Sequence, residues 1–411
     1  MSRQLTDWLS NYLELTEDGE PPYLFKLWSG ISTIAACLQR KCFMTWKTEI
    51  YPNMYVVIVG PSGCRKGTAM GPCLDLLYDT NVPLAAESIT REALIQRLKK
   101  TTSNTPGPDG MAVLHSSITI FSPELAVFIG QNNPTLISSL TDWYDCRKKW
   151  TYETKNMGTD FIQGVWVNLI GATTPSLLQN TLPRDAIGGG LTSRIIFVYG
   201  DKKSKLNPCP IWGEWHWALR EKLLADLESI VAMSGQFTIN KDYTDLYMDW
   251  YITQSKKPAI RDPNFAPYLE RRPTHLRKLS MIMSASRSDE LQLTTQDFER
   301  ALAILEDTER RMACVFQGYG RDKSAELFPP LTRLIRMEGP ITFGKIIAYF
   351  HLDSNREELQ QMVTALCQMD PPFAKMKWIV DKNTGEKDML ISCIDDPQSE
   401  SHYGTLLGDL E

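Results

Sequence analysis

The stretch YVVIVGPSGCRKGTAM, residues 55–70, begins as an apolar β-branched run and ends as a helix, with glycines, a lysine and a threonine between the two. A short valine- and isoleucine-rich run of this kind is typical of a strand buried on both faces. Further apolar runs follow at 82–88, 117–124, 165–173 and 194–200, and helical stretches separate the first three of the five runs. The alternation predicts an α/β fold around a five-stranded, mainly parallel sheet.

The turn after the first strand resembles a phosphate-binding loop in composition. That loop is spelled GxxxxGK followed by Ser or Thr, because glycines let backbone N–H groups point at the phosphates, the lysine reaches their outer oxygens, and the hydroxyl binds Mg²⁺. Gly60, Gly63 and Lys66 occupy the expected places. The strand before the turn and the helix after it are the context that this mechanism requires, so we predict that the loop binds nucleotide phosphate.

The loop departs from the usual spelling at two positions. Arg65 stands where the glycine before the lysine is expected, and Gly67 replaces the hydroxyl residue, which leaves Thr68 one position late. We predict that Thr68 holds the Mg²⁺ ion. The alternative is a glycine-rich turn that binds nothing. The predicted phosphate-binding residues are Gly60, Pro61, Ser62, Gly63, Cys64, Arg65, Lys66, Gly67 and Thr68.

Hydrolysis of a nucleotide needs a carboxylate that polarises the attacking water near the end of a neighbouring strand. The run ITIFSPE supplies Glu124 at such a place, although Ser122 and Pro123 stand where a companion aspartate is usual. We predict that Glu124 is the catalytic base. The alternative is a carboxylate that the dipole of the following helix favours.

Polar side chains also mark the ends of the last two predicted strands. Thr173, with Thr174 and Asn168 as alternatives, is a candidate to hydrogen-bond the terminal phosphate or the attacking water; local capping is the competing interpretation. A triple glycine leads to Arg194, which we predict to reach the phosphate of an adjacent subunit and to stabilise transition-state charge. Its alternative is an ion pair with a carboxylate.

A β-hairpin is predicted at 147–163, because KWTYETK and TDFIQG alternate in polarity around Asn-Met-Gly. Cations interleaved with Trp150 and Tyr152 suit a nucleic-acid strand, through phosphate neutralisation and base stacking. A solvated hairpin with buried aromatics is the alternative. The predicted DNA-binding residues are Arg147, Lys148, Lys149 and Lys155.

The remaining sequence predicts the domain organisation. Three helices and a β-ribbon near the C-terminus follow the order of a winged helix. The acidic tail is expected to be mobile and is a candidate contact for a replication protein, while Arg277 of the lid is a candidate to approach the nucleotide. The predicted regions are an N-terminal helical region (1–50), the ATPase core with its hairpin (51–203), a helical lid (204–320), a winged helix (324–395) and the tail (396–411).

Composition limits the function classes. The net charge of the 411 residues is -5, so contact with DNA must come from a local basic face. Nine cysteines without a CxxC pair argue against a zinc site or a disulfide framework. The N-terminus lacks the pattern of a secretory signal and no apolar run is long enough to cross a bilayer, so we expect a cytoplasmic protein without membrane partners.

Segments between residues 20 and 200 resemble the phage and prophage P-loop ATPases classed as replicative helicases or as C-terminal modules of primase-helicases. Some members of that family share the spelling RKGT. The resemblance implies a P-loop NTPase core of the RecA/AAA+ type, ATP as substrate, and movement on DNA by a ring that we expect to be hexameric. The hairpin also resembles the pore-lining hairpin of superfamily 3 and minichromosome-maintenance helicases. The segments are EPPYLFKLWSGISTIAACLQRK, YPNMYVVIVGPSGCRKGTAM, FSPELAVFI, WYDCRKKWTYETKNMG, NLIGATTP and GGGLTSRIIFVY.

The sequence therefore leaves three functional hypotheses. The first is an ATP-dependent DNA helicase or translocase of a phage-type replication module, which hydrolyses Mg-ATP at subunit interfaces. The second is a DNA-binding ATP switch, such as a replication initiator or helicase loader, without unwinding activity. The third is a structural protein that keeps the fold but not the activity.

Overall fold

The computed structural model describes residues 3–106, 111–130, 133–154, 158–182, 189–256, 259–316, 323–380 and 387–394. The chain divides into two compact units, Met1–Val315 and Phe316–Glu411. Lys155 and the tail 396–411, both singled out in the sequence, lie outside the described residues. Across the described ranges, no helix combines the length and apolar character that crossing a bilayer requires.

The larger unit is built from helices and strands that alternate through its first 200 residues. Its helices are α1 (Trp8–Leu15), α2 (Tyr23–Leu38), α3 (Lys66–Asp79), α4 (Arg91–Lys100), α5 (Leu125–Ile129), α6 (Pro134–Tyr144), α7 (Pro175–Thr181), α8 (Glu214–Ala232), α9 (Lys241–Lys256), α10 (Ala266–Arg287) and α11 (Thr295–Met312). Its strands are β1 (Cys42–Thr45), β2 (Glu49–Ile50), β3 (Tyr55–Val59), β4 (Thr102–Pro106), β5 (Ala112–Ser122), β6 (Lys149–Thr154), β7 (Gly158–Gln163), β8 (Val165–Thr173), β9 (Ile195–Tyr199), β10 (Gly235–Ile239) and β11 (Gln292–Leu293).

The α/β prediction is confirmed. A five-stranded sheet has the order β4-β5-β8-β3-β9, in which β5, β8, β3 and β9 are parallel and β4 pairs antiparallel with β5 at the edge. Strands β3 and β8 are buried along their whole length. Burial on both faces explains why these strands appear in the sequence as unbroken apolar runs.

The predicted membership of the sheet is wrong at one strand. Residues 82–88 contribute a single parallel bridge, between Leu84 and Thr119. The fifth strand is β4, which begins the segment TTSNTPGPDG (101–110), a run rich in residues typical of turns. Strand β4 is largely solvent-exposed and polar, so it lacks the apolar pattern by which buried strands are recognised.

A second, smaller sheet has the order β11-β10-β1-β2. It joins the end of the predicted N-terminal helical region to two short segments of the predicted helical lid. The predicted N-terminal helical region (1–50) therefore ends in two short strands, β1 and β2. These strands have two to five residues each, too few for alternation to stand out from the flanking helices.

The N-terminal helices pack into the core of the larger unit. Fourteen of the 16 residues of α2 are buried, and the Trp28 indole N–H donates to Thr308 Oγ1 of α11 at 2.8 Å. A Cβ on Gly30 would lie 2.8 Å from Leu9 and 2.9 Å from Tyr12, so glycine allows α1 to cross α2 closely. On α11, Thr294 is the N-cap residue, and its capping box includes Asp297.

The smaller unit contains three helices and a β-ribbon in the predicted order. Its elements are α12 (Lys323–Glu338), β12 (Ile341–Thr342), α13 (Phe343–Phe350), α14 (Arg356–Gln368), β13 (Ala374–Val380) and β14 (Lys387–Cys393). The three strands form a sheet of order β12-β14-β13. Leu331, Ile346, Leu359 and Ile391 belong to a hydrophobic core of this unit. Residues 381–386, between β13 and β14, lie outside the described residues.

Candidate functional site

The strand, turn and helix of the predicted phosphate loop occupy the centre of the sheet. Strand β3 lies between β8 and β9, and the loop that follows it begins where the backbone N–H of Gly60 donates to the Thr173 carbonyl at 3.3 Å. A Cβ on Gly60 would overlap the carbonyl oxygen of Gly200. The first position of the loop is therefore restricted to glycine, because the end of β9 approaches its backbone closely.

Two residues of the loop have left-handed backbone conformations. Gly63 has a φ of +86° and Arg65 a φ of +60°. Arg65 stands where the usual motif has glycine, and the conformation is the one that glycine adopts most readily. The loop thus keeps the backbone conformation of a glycine at a position occupied by arginine.

The Arg65 side chain turns toward Glu20. Its Nε lies 2.7 Å from Glu20 Oε2, and Lys203 Nζ lies 2.9 Å from the same oxygen. Lys203 and then Arg65 hold the pKa of the Glu20 carboxyl below its usual value. The guanidinium is engaged by this carboxylate, and half of the Arg65 side chain is exposed to solvent.

Lys66 is the first residue of α3, and its ammonium group folds back across the loop. Nζ donates to the carbonyl of Gly60 at 2.8 Å and to that of Pro61 at 3.1 Å. Burial lowers the pKa of Lys66, while Cys64 and Glu124 act in the opposite direction. The lysine is therefore half-buried, held by neutral oxygens, and close enough to Glu124 to sense its charge.

Glu124 lies at the carboxyl end of β5, in the N-cap position of α5. It is exposed, and its side chain makes no capping hydrogen bond. Within the described part of the chain, its carboxylate has no hydrogen-bond donor and no cation within 4 Å. Its position at the start of α5 is compatible with the alternative of a carboxylate favoured by the helix dipole, and its role as catalytic base stays a prediction.

The end of β8 lies between the phosphate loop and Glu124. Thr173 is buried there, paired with Val59 of β3. Thr174 caps α7 by accepting from the backbone N–H of Leu177, which is the local role weighed for it. Asn168 lies inside the core, where it accepts from Met54 N and donates to the Ser32 carbonyl. The structure thus places Thr173, and not Asn168, beside the loop.

A cavity of about 220 Å³ lies against the first turns of α3. Thr68, the predicted Mg²⁺ ligand, is exposed and lines this cavity. The opposite wall comes from the segment before and at the start of α8. Sequence patterns did not identify this wall, although Ile211 and Trp212 are large apolar residues outside any helix or strand. The residues that line the whole cavity include Leu15, Thr16, Pro21, Asn207, Ile211 and Trp212.

Arg194 is held inside its own chain. Its Nη2 lies 2.6 Å from Asp145 Oδ2, its Nη1 donates to the Gly190 carbonyl at 2.6 Å, and 9% of its side chain is exposed. It precedes β9, at the amino edge of the sheet, whereas the phosphate loop follows β3 at the carboxyl edge. The ion-pair alternative describes this arrangement, and the contact of Arg194 with an adjacent subunit stays a prediction.

The described strands of the hairpin are β6 and β7, which pair antiparallel from Lys149–Gln163 to Thr154–Gly158. Trp150 packs edge-on against Trp143, and the Arg91 guanidinium lies 4.6 Å from the centre of the Tyr152 ring. These two aromatics therefore contact α6 and α4, as in the buried-aromatic alternative. Alternation along β6 places Lys149 on the opposite face from these two rings.

The hairpin also carries exposed cations and one exposed aromatic ring. Arg147, Lys148 and Lys149 are exposed; Arg147 and Lys148 have loose ion pairs at 3.7 and 3.9 Å, and Lys149 has none among the described residues. Phe161 is 64% exposed and pairs with Thr151 across the ladder. Sequence analysis missed Phe161, although alternation along TDFIQG places it on the face opposite to the buried Ile162.

Arg277 does not approach the loop. Its guanidinium lies 5.6 Å from the centre of the Trp46 ring and 5.5 Å from that of Tyr247, beside the amino edge of the sheet. The prediction that it could reach the nucleotide is wrong for this conformation, because α10 packs at the other edge: Lys278, the next residue, bonds to Asn53 just before β3.

No protein-family model matches the chain, and no curated protein matches it either.

Proposed function

We propose that this chain is a P-loop ATPase whose loop from Gly60 to Arg65, together with the start of α3, holds the triphosphate. The observation that carries the proposal is the Lys66 ammonium folded over the carbonyls of Gly60 and Pro61 at a helix N-terminus. Its present partners are neutral. A phosphate would replace them with charge-assisted hydrogen bonds, which are about twice as strong, and the helix N-terminus would add favourable dipole interaction.

The cavity beside α3 supports a place for the base. Its volume of about 220 Å³ is below the roughly 300–1,000 Å³ of pockets for drug-sized ligands, which suits a single heterocycle. Trp212 and Ile211 supply apolar surface, and Thr16 and Asn207 supply polar groups. The position of Thr68 on this cavity supports contact with the base or sugar; its role as the Mg²⁺ ligand stays a prediction.

The side chains proposed for hydrolysis lie in the same order as the neighbouring strands that precede them. The carboxyl ends of β3, β8 and β5 are neighbours, so Thr173 lies between Lys66 and Glu124. In the proposed reaction Glu124 orients and deprotonates the attacking water, and Lys66 neutralises charge on the transferred phosphoryl group. Mg²⁺, bound with the nucleotide, would neutralise further charge on the phosphates.

We assign the energy of hydrolysis to movement on DNA, in a homo-oligomeric ring, as the resemblance implies. The exposed cluster Arg147, Lys148 and Lys149 with Phe161 supports contact with a nucleic-acid strand, through phosphate neutralisation and base stacking. The three helices and β-ribbon of the smaller unit are compatible with a winged helix. The function supported best is an ATP-dependent DNA helicase or translocase.

A second candidate is a DNA-binding ATP switch without unwinding activity. It is favoured by the ion pair that Arg194 forms with Asp145 of its own chain, because a finger across subunits needs a free guanidinium. Gly67, which leaves the usual Mg²⁺ hydroxyl position empty of a side chain, also favours slow turnover. Strand separation on a forked duplex, measured with and without ATP, distinguishes the motor from the switch.

The nucleotide assignment is tested with Lys66→Ala. We expect at least 100-fold slower phosphate release and loss of binding to a fluorescent ATP analogue, because no other described residue places a cation over the loop carbonyls. The control is Lys222→Ala on α8, an exposed lysine remote in sequence from the loop. Unchanged turnover in Lys66→Ala would refute the phosphate-loop assignment.

The DNA assignment is tested with Lys149→Glu and Phe161→Ala. Both should weaken binding of single-stranded DNA and remove its stimulation of ATP turnover, while basal turnover persists. The matched control is Lys222→Glu. Normal stimulation in both hairpin variants would exclude the hairpin as the DNA contact.

A further inference from the structure

A larger cavity, of about 650 Å³, lies at the amino edge of the five-stranded sheet. It is separated from the phosphate loop by the length of β3, which at five residues spans about 16 Å. Its walls come from the β1–β2 connection, the end of α6, and helices α9 and α10. The lining combines rings and cations, among them Trp46, Lys47, Tyr247, Tyr251, Arg271 and Arg277.

Arg277 lines this cavity, and only part of its guanidinium is hydrogen-bonded within the described part of the chain. Its Nε donates to the Pro273 carbonyl at 3.1 Å, and its guanidinium lies over the rings of Trp46 and Tyr247. In the described part of the chain, its two terminal nitrogens have no acceptor and no carboxylate within 4 Å. A half-buried guanidinium that stacks on aromatic rings and lacks a counter-charge favours an anion with a planar group beside it.

The carboxylates on the cavity wall do not supply that counter-charge. Asp145 is paired with Arg194 and Arg271. Glu49 accepts from the Tyr51 hydroxyl at 2.8 Å and lies 3.9 Å from Lys148. The remaining one, Glu270, is exposed to solvent.

The aromatic side chains form a short ladder that ends in solvent. The ring centres of Trp46 and Tyr247 are 5.1 Å apart, and those of Tyr247 and Tyr251 are 6.1 Å apart with planes at 27°. Tyr251 is 47% exposed, so one face of the ladder is free. Nucleic-acid bases stack on such faces without strong sequence preference.

The cavity opens beside the basic start of the hairpin. Cys146 lines it, and the exposed residues Arg147, Lys148 and Lys149 follow directly in the chain. Glu49 connects the two regions, because it lines the cavity and pairs with Lys148. The hairpin cations and the cavity are therefore neighbours on the surface of this unit.

We propose that this cavity holds one nucleotide of a single-stranded nucleic acid, with its base stacked on Tyr251 and its phosphate on Arg277. The inference rests on the nucleic-acid role proposed for the hairpin, and it adds a second contact on the opposite edge of the sheet from the ATP site. A base and a phosphate could also come from a free nucleotide. Continuity with the hairpin cations favours the strand.

Equilibrium binding of a fluorescent oligothymidylate, measured without ATP, tests the proposal in the full chain. Tyr251→Ala and Arg277→Gln should each weaken binding about fivefold or more, in line with the loss of one stacked base. The control is Tyr78→Ala, since Tyr78 is 60% exposed on α3. Wild-type affinity in both variants, or no binding by the wild type, would overturn the proposal.

Photocrosslinking with an oligonucleotide that contains iodouracil gives a second, variant-free readout. Crosslinks to Trp46, Tyr247 or Tyr251 support the cavity, whereas crosslinks confined to the hairpin at Phe161 contradict it. Thymidine monophosphate that competes as well as the oligonucleotide would exclude the strand as occupant. Because no ATP is present, these results stay interpretable even if Lys66→Ala retains wild-type turnover and the ATPase assignment fails.

Discussion

Two lysines at opposite edges of the sheet make similar contacts in different surroundings. Lys66, at the carboxyl edge, donates to the carbonyls of Gly60 and Pro61. Lys278, at the amino edge, donates to the carbonyl and side-chain oxygens of Asn53. Lys66 is half-buried beside an exposed loop, whereas Lys278 is 3% exposed and lies 4.0 Å over the centre of the Tyr144 ring.

The difference separates a cation that can exchange partners from one that cannot. The Asn53 side chain also donates to the carbonyls of Tyr144 and Val167, so that Lys278 is part of a connected buried network. The contacts of Lys66 are confined to its own loop. Of these two lysines, only Lys66 has partners that lie outside a buried network, so only Lys66 is available to a ligand without the loss of core hydrogen bonds.

The largest expected effect is at the amino edge. Asn53→Ala should lower the free energy of unfolding by about 3–5 kcal/mol, because it leaves the buried Lys278 ammonium with one acceptor and frees two backbone carbonyls. Lys66→Met should change it by less than about 1 kcal/mol. Urea unfolding followed by tryptophan fluorescence measures both. Equal losses in the two variants would remove the distinction between the edges.

The next effect is a pH dependence. Burial lowers the pKa of Lys278 to about 8, against about 10.4 in the unfolded chain. Between these values the unfolded state binds more protons, so stability rises with pH from about 8 to about 10.4, by at most about 3 kcal/mol. The unfolding free energy of wild type minus that of Lys278→Met, measured across this range, should show the rise. A flat difference would contradict it.

The smallest effect is expected for a substitution at Gly67, at the carboxyl edge of the sheet. A Cβ at Gly67 meets no atom within 4 Å, so Gly67→Ser should stabilise the chain by about 0.5 kcal/mol. If the loop holds Mg-ATP, the hydroxyl should also tighten Mg²⁺-dependent nucleotide binding severalfold. Gly71→Ser, in the same helix and with the same open space, is the control. Equal nucleotide affinities in the two variants would argue against a metal beside Gly67.

Sequence reasoning located the strands and helices whose patterns arise from residues close together in the chain. The run at 55–59 and the helix from Lys66 were predictable because burial on two faces and a glycine-rich turn leave local patterns. The edge strand β4 was not, since it is exposed and polar. The partners of Arg194 and Lys278 were not either: Asp145 and Asn53 lie 49 and 225 residues away, and no spacing rule connects such positions. The face of the hairpin on which Trp150 packs likewise depended on Trp143 of another element.

The close approach of Gly60 to Gly200 has a consequence for how the chain can be subdivided. A Cβ on Gly200 would lie 2.8 Å from the Phe25 ring, and one on Gly60 would lie 3.3 Å from it. Helix α2, through the ring of Phe25, therefore packs against the start of the predicted phosphate loop. A fragment trimmed to 51–203 would lose this contact, so the shortest piece of the chain that preserves the loop includes the predicted N-terminal helical region.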